Sequence, residues 1–99
     1  MIITVDCAAG RVSLEQPDVF TQFHVAATGG DAAAVVAALG ADGKAADDEH
    51  VFVAVESIRA WARGRVGDDW EVGFGKMVDY ARSKGWLDEA GTHIRAHLE

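Results

Sequence analysis

His93, Arg95 and His97 occupy every second position near the end of the chain. On a β-strand that spacing puts three side chains on one face, opposite Ile94 and Leu98. Two imidazoles sharing a face could begin a metal site, but zinc needs at least three protein ligands. Only His24, His50 or a carboxylate could complete the set, and no spacing singles one out. A guanidinium between the two histidines also opposes a cation. The pattern fits the polar outer face of an edge strand better than a metal centre.

Other chemistry-bearing residues are equally unsupported. Cys7 stands alone, with no flanking signature of a nucleophile and no partner for a disulfide; it reads as a small apolar residue of the first strand. Gly73-Phe74-Gly75 lacks the preceding strand and third glycine of a dinucleotide fingerprint. Both glycines fall inside an expected helix, where each costs about 1 kcal/mol relative to alanine. Close packing of another backbone would account for them, as would a ligand or partner helix. Asp47-Asp48-Glu49 lacks the alternating ligands of a calcium loop. No cofactor is implied.

The second half carries Trp61, Trp70, Trp86, Phe74 and Tyr80. A small domain rarely hides several indoles completely, because tryptophan is too large to be fully buried as a rule. Trp61 or Trp86 is therefore expected in an exposed apolar patch. Tyr80 belongs beside it, and Arg59, Arg63 and Arg65 could form a polar rim. Tryptophan, tyrosine and arginine together are typical of interface hot spots.

These side chains need elements to hold them. Ile2–Cys7 and Arg11–Leu14 read as a hairpin turning at Gly10, and Pro17 as a turn before a strand within Val19–Ala27. Asp31 caps a helix running to Leu39 and closed by Gly40, and residues 41–49 form an exposed loop. His50–Val55 alternates as a strand and leads into a short helix closed by Gly64, the rival being one helix from Asp48. The clearest element is an amphipathic helix over about 69–84, with Trp70, Phe74, Met77, Val78 and Ala81 on its stripe. Asp68 and Glu71 suggest a capping box at its start. A turn at Asp88–Gly91 precedes a strand over Thr92–Leu98, and no weight is placed on Leu98-Glu99, which a purification tag could also supply.

The fold class that follows is α+β: a small single domain with short N-terminal strands, two or three helices and a C-terminal strand. Its 99 residues are too few for two domains. The net charge of −7 lies mostly in residues 1–50, with eight acids against two bases. That charge repels phosphate backbones and disfavours nucleic acid. No apolar run approaches the roughly 18 residues of a membrane span, and nothing reads as a signal peptide, so the expected location is cytoplasmic.

Three functions are compatible with these residues. The leading one is a non-enzymatic interaction or accessory module that binds a protein partner or a second copy through its aromatic half. The second is a DNA binder: over about the last third, the order helix, Gly85-Trp86, turn, strand resembles the recognition helix and wing of a winged-helix domain. Its outward positions Glu71, Lys76, Asp79 and Arg82 are mixed in sign, whereas a DNA-reading helix gathers Arg, Lys, Asn or Gln. The third is a small-molecule or metal binder, or a minor enzyme, using the four histidines.

Overall fold

A computed structural model describes all residues, 1–99. Alternation near the amino terminus yields β1 (Ile2–Asp6) and β2 (Arg11–Glu15), an antiparallel hairpin whose turn holds Gly10 at φ 65°. That left-handed backbone suits a residue without Cβ. The chain then crosses the start of β1 through residues 16–23. The amino group of Met1 fastens this crossing, donating to the carbonyl oxygens of Val19 (2.6 Å) and Gln22 (2.9 Å). It emerges as β3 (His24–Thr28), parallel to β1. The strand is shorter than the sequence suggests, because residues 19–23 are spent on the crossing.

Asp31 caps α1 (Ala32–Leu39), accepting from the Ala34 amide at 3.1 Å. A single 3-10 turn, Gly40–Asp42, leads to β4 (Gly43–Ala45), which pairs antiparallel with β5 (His50–Ala54). The expected loop over 41–49 thus contains a three-residue strand. The strand-then-helix reading of residues 50–63 holds: β5 passes directly into α2 (Val55–Ala62). The long helix is α3 (Trp70–Ser83), and the chain finishes with β6 (His93–Leu98).

All six strands join one sheet in the order β2-β1-β3-β6-β5-β4. β6 is therefore an interior strand, not the edge its polar face suggested. Nor is it a free-standing wing after a recognition helix, since it pairs with both β3 and β5. Leu98 and Glu99 are part of this arrangement: Glu99 donates to Val25 O (2.8 Å) and accepts from the Ala27 amide (3.1 Å).

The pleat sorts the side chains. Ile3 pairs with Val25, Val51 with Ala96 and Val53 with Ile94, and all six are buried. They join Val35 and Leu39 of α1, Ile58 and Ala62 of α2, and Trp70, Phe74 and Val78 of α3 in one apolar cluster. The helices thus cover one face of the sheet, as two-layer packing requires. The radius of gyration, 12.6 Å, matches the roughly 13 Å expected of a single domain this size.

The start of α3 corrects one expectation. Its cap residue is Asp69, and no side chain caps the helix. Glu71 turns instead to Arg59, whose Nε it accepts at 2.6 Å. A charge-assisted bond across two helices is stronger than a local one to an amide, which explains the choice.

Candidate functional site

β3 and β6 pair only at His24↔His97 and Val25↔Leu98. The preceding half of β6 has no strand of β3 beside it. Its neighbour there is the segment after α3: the Arg95 amide donates to Trp86 O at 2.7 Å, and Leu87 bridges to Ile94. A cleft of about 360 Å³ opens at this break. The crossing segment supplies Phe20 and Phe23 to its walls, α3 supplies Met77 and Tyr80, and Trp86 stands at its rim. Ile94, Arg95 and His97 line it from β6, and His50 from β5.

The end of α3 dictates where Trp86 stands. Gly85 takes φ 75°, its amide donates to Arg82 O, and the Trp86 amide donates to Ala81 O at 2.9 Å. This pair of bonds is a Schellman motif, which normally brings a side chain past the helix end onto the last turn. Here Trp86 meets Tyr80 edge to face, ring centres 5.9 Å apart. Both remain open to solvent, Tyr80 at 57% and Trp86 at 37% of full exposure. Lys84 lies over the Tyr80 ring at 5.5 Å.

Asp88 secures the other side of Trp86. Its side chain is only 5% exposed and meets Lys44 Nζ at 2.7 Å. It also accepts from the amides of Thr92 (2.8 Å) and His93 (3.0 Å). Burial alone would raise this carboxyl, but the Lys44 ammonium and the two amides hold it far below the ordinary aspartate value. Lys44 and Asp88 thereby tie β4 to the turn that leads into β6. The turn itself was legible; this buried acid within it was not.

The residues singled out in the sequence are distributed unevenly. Trp86, Tyr80 and His97 meet at the cleft. Trp61 is half-buried against the core and Trp70 is buried, its Nε1 donating to Pro17 O at 2.6 Å. The arginines do not assemble around Trp61 as a rim. Arg59 is clamped by Glu56 and Glu71, each at 2.6 Å, which raises its pKa, and lies over Phe74 at 5.2 Å. Arg65 donates to Leu14 O at 2.7 Å, occupying the free edge of β2, and Arg63 is exposed.

His93 and His97 share a face but belong to different groups. His93 contacts Asp88 at 3.1 Å and Thr92 at 2.8 Å. His97 lies between His24 and His50 across three strands, and its ring meets that of His50 at 5.2 Å. Each flanking histidine has its own acid: His24 with Glu99 at 3.2 Å, His50 with Asp47 at 2.9 Å. The His50 hydrogen bond, aided by the Glu49 amide, lowers the Asp47 carboxyl. No group of three or more His, Cys, Asp or Glu residues is arranged to hold a metal ion.

Gly73 and Gly75 serve different ends. A Cβ on Gly73 would strike the Phe20 ring, whereas one on Gly75 would meet nothing. The close approach is made by a side chain rather than a backbone. Phe20, so placed, becomes a wall of the cleft.

Compared with known proteins, the chain matches no family model, no curated protein and no solved structure. No helix is long and apolar enough to cross a membrane.

Proposed function

We propose that this protein is a non-enzymatic binding module and that the cleft beside Trp86 is its binding site, taking a small molecule. The observation that carries this reading is the break in the sheet. Aromatic walls surround a concavity of about 360 Å³, within the size range of small-molecule sites, with a few polar groups converging on it. The cleft borders are set by an interior strand, a helix cap and a tethered crossing segment, so the shape is held before any ligand arrives.

A direct test follows Trp86 by NMR, through its indole N–H resonance, while phenol is titrated as a neutral aromatic probe. Binding in the cleft shifts that resonance and leaves the buried Trp70 unmoved. A Trp86 signal indifferent to both neutral and charged aromatic probes at millimolar concentration would end this reading.

Exposure of Trp86 and Tyr80 at the rim favours a second reading, a protein partner or second copy covering the pair. Light scattering across a concentration range tests the self-association form. A mass fixed at one chain throughout would remove it.

A further inference from the structure

We infer that the cleft binds a small aromatic carboxylate, its ring against Trp86 and Phe23 and its carboxylate on the guanidinium of Arg95. This rests on the binding reading above and adds the chemistry of the ligand. The chain holds 16 acids against 9 lysines and arginines, yet none of the cleft's lining residues is Asp or Glu. The ionisable groups that line it are Arg95, His50, His97 and Tyr80. An acidic protein has kept one concavity free of carboxylates.

Arg95 is the group left over. Among the nine lysines and arginines only Arg59 and Arg95 are half-buried. Arg59 has two carboxylates and an aromatic face. Arg95 enters no ion pair, and its guanidinium makes no hydrogen bond, although its backbone is fixed to Trp86 O on one side and paired with Phe52 on the other. Arg95 lines the cleft, and the planar fork of a guanidinium fits a carboxylate through two parallel hydrogen bonds.

The remaining walls select the rest of the molecule. Phe20, Phe23 and Trp86 offer flat apolar surface and Met77 a polarizable thioether, which suit an aromatic ring by stacking, edge or sulfur contact. A dianionic phosphate is disfavoured, because one permanent cation faces it and the surrounding protein carries −7. His50 is engaged by Asp47 and cannot make up the difference.

Three probes test this: 3-phenylpropionate, its uncharged isostere 3-phenylpropionamide, and inorganic phosphate. Each is titrated against the protein with the Trp86 indole resonance as readout. The acid is expected to bind at least tenfold more tightly than the amide, and phosphate not to displace it. In Arg95→Gln the acid-to-amide ratio is expected to fall close to one. The acid–amide comparison on the unaltered protein decides the matter whether or not that variant folds. Equal binding of acid and amide would overturn the carboxylate assignment and leave the binding module intact. Displacement by phosphate at similar concentration would replace it with a general anion site. Silence from Trp86 toward acid, amide and phenol alike would remove both readings.

Discussion

The ring of Phe20 fills the space that a methyl group on Gly73 would need. Gly73 is the fourth residue of α3, so helix propensity alone would favour alanine by up to about 1 kcal/mol. Gly73→Ala is expected to lose that advantage to overpacking and to destabilise the protein by about 1–3 kcal/mol. Gly75→Ala, with open space around it, is expected to stabilise by up to about 1 kcal/mol. Denaturant midpoints of the two variants, moving in opposite directions from the parent, check both.

Gly85 closes α3 with a left-handed backbone. Its φ of 75° costs an ordinary residue about 1–2 kcal/mol. Gly85→Ala should lower stability by that amount and loosen the cap that delivers Trp86. The expected readout is a lower thermal midpoint together with a shift of the Trp86 indole resonance.

Asp88 gives the fold an acid sensitivity. Its pKa is depressed in the folded protein, so its contribution is complete above the unfolded aspartate value of about 4. That contribution is lost as pH falls from there toward the folded value. Asp88→Ala leaves two amides and the Lys44 ammonium without their acceptor and is expected to cost about 2–4 kcal/mol near neutrality. Urea unfolding from pH 7 down to pH 3 should show a steeper acid decline in the parent than in the variant.

Trp70 and Trp86 separate structure from binding. Trp70 is 7% exposed, stacks on Phe74 at 4.6 Å and donates to Pro17 O. Trp70→Ala is expected to cost about 3–5 kcal/mol. Trp86→Ala, at a solvent-open rim, should cost about 1 kcal/mol or less while abolishing retention of 3-phenylpropionate. Paired unfolding and titration experiments distinguish these outcomes.

Local signals were well preserved in the sequence. The alternation of β1, β2 and β5, the stripe of α3 and the closing glycines at 40, 64 and 85 all depend on neighbours a few residues away. β4 escaped notice because Gly43-Lys44-Ala45 has no alternation and gains strand geometry only from β5. The interior place of β6 is hidden for the same reason: its partners lie 39 and 73 residues upstream, at the Ala54↔His93 and His24↔His97 pairs. The aromatic surplus points to Trp86 and Tyr80, but a concavity beside them depends on where β3 begins to pair with β6, which no periodicity encodes. In the sequence Arg95 reads only as an obstacle to a metal, because its lack of an acid partner is a fact of tertiary structure. The capping box does not form because Arg59, twelve residues from Glu71, competes for that carboxylate.

The short junction between β3 and β6 has a mechanical meaning. Three strands lie on either side of it, and residues 24–27 against 97–99 are the stitches between the two leaves. A molecule lodged in the cleft would rest on Phe23 from one leaf and Arg95 from the other, bracing the joint where it is thinnest. Occupancy would then be felt as stiffness across the whole sheet, with amide exchange along this line slowed more than anywhere else in the protein.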